Sequence, residues 1–264
     1  MSQHDEALAQ ITSIFAAHEG LRERWQIATP PRVGSELARA DTVWPLLPFT
    51  EHARQCLVAA WEHFDVIRLA IDARRLFVTG LNGVLRGALV AASMAYWLLG
   101  PDEQNERDQR GLALTDEWYR RRIQYQTGLL SFHEQENELG SSQLERLRDD
   151  RRRANELRTG ATEVQATAII DWSAGRLWGP KSRQRKQAGL EWQRLGGDAH
   201  ALGWQLMTQN VAWGDGQGLV QARVTASIVE VAHPYICAWL LFQAALDRFD
   251  QLGATARHDR HPSP

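Results

Sequence analysis

Phe77-Val-Thr-Gly-Leu-Asn-Gly-Val-Leu-Arg86-Gly-Ala-Leu-Val-Ala-Ala-Ser-Met-Ala-Tyr-Trp-Leu-Leu99 decides how this chain is read. The stretch is almost long and apolar enough to span a bilayer, yet Arg86 stands close to its middle. A cation at the centre of a spanning helix costs about 2.5–3.5 kcal/mol even on insertion scales. Gly100-Pro101-Asp102 and the charged run Glu103 to Arg110 then stop the helix without a basic flank. The reading is a helix buried inside a soluble helical protein, carrying one cation that needs a partner.

Upstream, Thr50 to Arg75 repeats apolar residues at helical spacing, with Leu57, Trp61, Phe64, Ile67 and Ile71 on one stripe. Thr50 is the expected N-cap, and Glu51 suits the positive helix end. Almost no connector separates the two helices, so they are expected as an antiparallel hairpin of about 50–75 and 77–99. Gly80, Gly83 and Gly87 fall on one face, where small residues let backbones approach closely.

Residues 5–18 form a short amphipathic pattern through Leu8, Ile11, Ile14 and Phe15, and the prolines and glycine of 26–49 suggest an extended connector. Residues 103–130 read as a third long helix, with Leu112, Leu114, Trp118, Ile123 and Tyr125 apolar and Arg120-Arg121-Arg122 exposed. Ser141 to Ala168 is strongly charged and suits a solvated helix; Gly175 to Lys186 is basic and reads as irregular. Leu190 to Asn210 and Ala222 to Leu252 supply two more helices. Val, Ile and Thr never alternate over a strand length, and no fixed-period repeat is visible. The expectation is an all-α helical bundle with no sheet. Its parts are an N-terminal helix and Pro-rich connector (1–49), one helical domain (50–254) and a frayed tail (255–264).

The chain has 264 residues, a net charge of −2, and 30 basic residues of which only Lys181 and Lys186 are lysines. That balance argues against a strongly electrostatic nucleic-acid binder, while leaving local patches open. Cys56 and Cys237 lie in apolar helical patterns and are expected as free, buried thiols in a reducing compartment; with no signal-peptide pattern at the N-terminus, the cytoplasm is the expected location. The 11 tryptophans are spread along the chain and read as core and interface filling. Together with the charged helix they suggest a surface made for another copy, hence a homodimer.

Residues 85–101, Thr50 to Arg75, and Trp-Gln-Leu-Met-Thr-Gln-Asn-Val-Ala-Trp-Gly-Asp-Gly (204–216) together resemble actinobacterial HEPN-like all-α proteins. The HEPN superfamily includes RNA-cleaving toxins and non-catalytic relatives, so the resemblance implies a helical domain that handles RNA or a partner protein. Two positions depart from the pattern. Trp213 stands where the family has a His, and Val90 stands where a Glu often follows the Arg by four residues. A degenerate member is what those departures imply.

HEPN nucleases place an Arg four to six residues before a His, and Arg194 and His200 meet that spacing. Gly196-Gly197 between them is expected to break the helix, which favours an ordinary helix end. Glu230-Val-Ala-His233 puts a carboxylate and an imidazole on one helical face. A di-iron bundle would need a second such motif, and none is present. Pro234 removes the helical bond to the Glu230 carbonyl and should kink the helix, with His233 available to mend part of the defect. Arg86 needs an anion and Glu230 a cation, so a buried pair between them is the simplest account.

The catalytic candidates are therefore Arg86, Glu230 and His233. The binding candidates are Lys181, Arg183, Arg185 and Lys186 with Trp178 and Trp213, since cations beside aromatics suit phosphates and bases. No phosphate-cradling, zinc-binding or nucleophile-elbow motif occurs, and neither a metal nor a cofactor is expected. The functional expectation is a HEPN-like accessory or regulatory protein that has lost catalysis and binds a partner protein or RNA, without membrane contact. The alternative is an active, metal-independent ribonuclease toxin.

Overall fold

A computed structural model describes residues 2–21, 30–132, 138–160, 162–199 and 227–254. Among them are nine helices and no β-strand, so the chain is all-α. The helices are α1 (Gln3–Glu19), α2 (Glu36–Asp41), α3 (Phe49–Asp72), α4 (Val78–Leu99) and α5 (Gln104–Phe132), then α6 (Glu138–Glu156), α7 (Ala166–Trp178), α8 (Arg183–Ala199) and α9 (Ile228–Gly253). The chain divides into two compact units, each drawing on several separate segments. The first holds Met1–Thr29, Arg54–Trp97 and Ala166–Arg248; the second holds Pro30–Ala53, Leu98–Gln165 and Phe249–Pro264.

The first unit is built on the α3–α4 hairpin. His63 lies nine residues before the end of α3 and Gly87 nine after the start of α4, the register of an antiparallel pair. A Cβ on Gly87 would stand 2.7 Å from His63 Cε1, so any larger residue would push the His63 ring aside. The expected glycine face narrows to that one residue, because nothing lies within 4 Å of a Cβ placed on Gly83. Phe64 is fully buried at the centre, edge-on to Tyr235, Trp239 and Phe242 at 5.2, 5.3 and 5.6 Å. Such pairs add about 0.5–1.5 kcal/mol each beyond area burial. Ser173 on α7 donates to the Ser93 carbonyl of α4 at 2.9 Å, fixing the height of one helix on the other.

In the second unit the centre is polar as well as apolar. Arg107 is 2% exposed; its Nη1 donates to the carbonyls of Pro101 (2.8 Å) and Asp102 (2.7 Å). Its Nη2 donates to Gln104 Oε1 at 2.8 Å and to the Glu36 carboxylate. Trp44, Leu112, Tyr119 and Ala154 form an apolar cluster that packs α5 on α6. Asp116 ties the same two helices, accepting from Arg151 Nε at 2.6 Å and Asn155 Nδ2 at 2.8 Å, with Arg158 at 3.2 Å.

Several local expectations need correction. Residues 26–49 are not wholly extended, because Ser35 caps α2 by accepting from the Ala38 amide at 3.1 Å. Thr50 is not an N-cap: α3 already begins at Phe49, and the Thr50 amide donates to Asp41 Oδ1 at 2.8 Å. The charged segment 141–168 is not one helix, since α6 ends at Glu156 and α7 starts at Ala166. Nor is 175–186 irregular; only residues 179–182 lie between α7 and α8. Gly196-Gly197 do not break α8, which runs to Ala199 with Gly197 buried. Packing outweighs a helix-propensity cost of about 1 kcal/mol per glycine.

Cys56 and Cys237 are free, and burial pushes each thiol up to about 12. Of the tryptophans, Trp44, Trp97 and Trp239 are core residues, whereas Trp118 is exposed. Ile228–Gly253 is the one helix among the described residues long and apolar enough to cross a membrane, and 61% of its most apolar window is buried within the protein, as in a core helix.

Candidate nucleic-acid interface

The α7–α8 hairpin carries the basic segment. Gly179 ends α7 with φ 94°, a left-handed conformation that glycine adopts without strain, and its amide donates to the Gly175 carbonyl at 2.9 Å. Ser182 then caps α8, its hydroxyl accepting from the Arg185 amide at 3.1 Å. A Glu commonly occupies the third helical position to complete such a cap; here the residue is Arg185.

Arg185 makes a forked ion pair with Asp171 of α7, Nε to Oδ1 at 2.7 Å and Nη2 to Oδ2 at 2.6 Å. Its Nη1 donates to the Pro180 carbonyl at 2.5 Å, so one side chain locks the turn to the helix before it. The hydrogen bonds from Arg185 hold the Asp171 carboxyl below the usual carboxylate range. Gly175 lies under the fork, where a Cβ would meet Arg185 Cδ at 3.4 Å. Arg185 is therefore a brace, not a free binding cation, and Asp171 is the acid that sequence reasoning did not single out.

Lys181, Arg183 and Lys186 are exposed, and none is in an ion pair among the described residues. No acid occupies the first turn of α8. Trp178 is half-buried at the end of α7, one side of this turn. A helix N-terminus already bears about half a positive charge, and cations placed there destabilise it by roughly 0.3–1 kcal/mol each. The segment thus collects positive potential where helix stability disfavours it, an arrangement that suits an anion.

The catalytic candidates have different surroundings. The Arg86 guanidinium lies 4.0 Å over the Trp192 ring of α8, and Trp192 Nε1 donates to Thr167 Oγ1 at 3.1 Å. Arg194 donates from Nη2 to the Glu230 carbonyl at 3.0 Å and from Nε to Glu191 Oε2 at 2.7 Å. That carbonyl is the one Pro234 deprives of its helical partner, and α9 runs through Pro234 as a continuous helix. The defect is mended by Arg194, not by His233 as expected. His233 is exposed, its Nδ1 3.4 Å from the Gln187 amide nitrogen. α8 is therefore the common neighbour of Arg86, Glu230 and His233.

Trp213, His200 and the tail 255–264 lie outside the described residues. Among the described residues no group of three or more potential metal ligands occurs. No protein-family model matches the chain, and no curated protein or solved structure matches it.

Proposed function

We propose that this chain is a HEPN-like helical accessory protein of the cytoplasm that binds RNA by its phosphates at the α7–α8 turn and leaves it intact. The carrying observation is the unanswered cation set Lys181, Arg183 and Lys186 at the N-terminal end of α8, held on a turn that Arg185 and Asp171 make rigid. The backbone that carries these cations needs no reordering on meeting phosphate, and the half-buried Trp178 ends the helix that leads into the turn. Arg194 supports the non-catalytic reading, because its Nε and Nη2 are committed to Glu191 and the Glu230 carbonyl.

Retention of single-stranded RNA should weaken linearly in log affinity against log salt, with a slope of about −0.7 per phosphate met. Changing Lys181, Arg183 and Lys186 together to Ala should flatten that slope by about 2. Absence of retention by the wild type at about 50 mM salt removes this function.

A second reading, metal-independent RNA cleavage, rests on His233 standing next to Gln187, one residue beyond Lys186. It requires that RNA be shortened in the presence of a chelator and that His233→Ala stop the shortening while retention persists. Intact RNA on the wild type leaves the binding reading alone.

A further inference from the structure

α5 turns one side to α6 and carries an exposed apolar stripe on another. Leu112, Asp116, Tyr119 and Ile123 face the α5–α6 packing. Trp118, Arg122, Tyr125, Leu129 and Phe132 follow at alternating spacings of four and three, which sets them on one stripe roughly 130° around the helix from that packing. Trp118 is 36% exposed, Tyr125 59%, Leu129 36% and Phe132 86%. Scattered surface apolars are ordinary in proteins; four on one helix at a 3.5-residue period form the seam by which helices pair.

We propose that this stripe is the interface with a second copy of the same chain, the two α5 helices crossing antiparallel about Tyr125. Three observations select that occupant. Trp118 and Phe132 each stand seven residues from Tyr125, so a two-fold axis at Tyr125 sets Trp118 of one copy against Phe132 of the other. Arg122, the one charged residue of the stripe, precedes Tyr125, whereas Arg120 and Arg121 are held by Glu117 and residues 123–132 carry no charge. Parallel pairing would oppose Arg122 to its own copy, while antiparallel pairing about Tyr125 sets it beside Gly128 in an uncharged segment.

Area is the third. With roughly 200 Å² for an aromatic side chain, the exposed fractions amount to on the order of 400–500 Å² per copy. Two copies that cover these side chains fully then remove about 800–1,000 Å², at the lower edge of specific interfaces, to which the stem of Arg122 adds. The stripe also has the composition of an interface centre, with Trp118, Tyr125 and Arg122, whose guanidinium lies 5.9 Å over the Tyr125 ring.

The test is the mass of the full chain by light scattering at micromolar concentration, with far-ultraviolet circular dichroism as the folding control. Wild type should have twice the chain mass. Tyr125→Glu and Phe132→Glu should each weaken the dimer roughly thirtyfold or more, with helix content and thermal midpoint kept. Tyr125→Cys should form a disulfide with its own copy under mild oxidation. Trp118→Cys should do so only when mixed with Phe132→Cys; the native Cys56 and Cys237 thiols, pushed up to about 12, remain poor competitors. A monomeric wild type, a dimer that survives both glutamates, or a Trp118→Cys chain that links to itself alone would each overturn the proposal.

Discussion

The α5–α6 and α7–α8 hairpins are both rich in arginine, and they place their unanswered cations differently. On α5 and α6 most arginines have an acid nearby, although Arg122, Arg146 and Arg148 are exposed and in no ion pair among the described residues. Asp116 takes Arg151 and Arg158, Glu117 takes Arg120 and Arg121, and Asp149 and Asp150 take Arg152 and Arg153. On α7 and α8 Asp171 answers Arg185 and Glu191 answers Arg194, while Lys181, Arg183 and Lys186 meet no acid among the described residues. Cation density therefore does not mark a binding surface. What sets α8 apart is the place of its unanswered cations, at the helix end where they are least welcome.

If the second unit's arginines are structural, the largest effect belongs to the most buried of them. Arg107→Met takes one donor from the buried Pro101 carbonyl, at about 1–3 kcal/mol, and one from Asp102, which is exposed and can meet water. Glu36 is partly exposed and can rehydrate, so the expected loss is about 2–3 kcal/mol by urea unfolding. A loss below about 1 kcal/mol would put Arg107 on the same footing as a surface cation.

Acid should erode the same unit. Burial, opposed only weakly by Glu51, pushes the His52 pKa down to about 4; its Nε2 lies 2.9 Å from Thr115 Oγ1. Folding favours the neutral ring, so its contribution is complete above the unfolded pKa of about 6.5 and is lost as pH falls toward 4. The loss is on the order of 3 kcal/mol, and His52→Gln should remove that pH dependence. Asp116 adds to it with the same sign. Burial raises its pKa, but the bonds from Arg151 and Asn155 and the charges of Arg151 and Arg158 outweigh burial and hold it low. Its contribution is present above the usual carboxylate range and fades as pH falls through its folded value. At neutral pH Asp116→Ala should cost about 2 kcal/mol.

The α3–α4 hairpin was legible because apolar residues at helical spacing, a missing β alternation and a short connector all agree. The helix α2 was not, because its one turn and a half sits among prolines and is held by Ser35 and by packing of Leu37 and Ala40. The basic turn was found, but the division of labour within it was not. Asp171 stands 14 residues from Arg185, and no local pattern announces that pairing. Arg194 is 36 residues from the carbonyl it satisfies, so only its partner's defect, the Pro234 gap, could be read in advance. The Trp118 to Phe132 stripe was readable as a 3.5-residue period; its exposure was not, because apolar periodicity gives the same signal for a core face and a partner face.

The smallest expected effect separates the two hairpins most sharply. Arg183 and Lys186 lie at the positive end of α8, and Ser182 caps that end while Arg185 occupies the place of the usual acid. Arg183→Glu should therefore raise stability by about 0.3–1 kcal/mol, seen as a higher thermal midpoint, while weakening RNA retention. The matching change on the other hairpin, Arg151→Glu, should lower stability, because it removes the 2.6 Å bond to Asp116 and sets two carboxylates together. Opposite signs from the same substitution would mean that α8 keeps its cations at the expense of its own helix, which selection for folding alone does not explain. Equal signs would reduce the α7–α8 turn to another solvated basic surface.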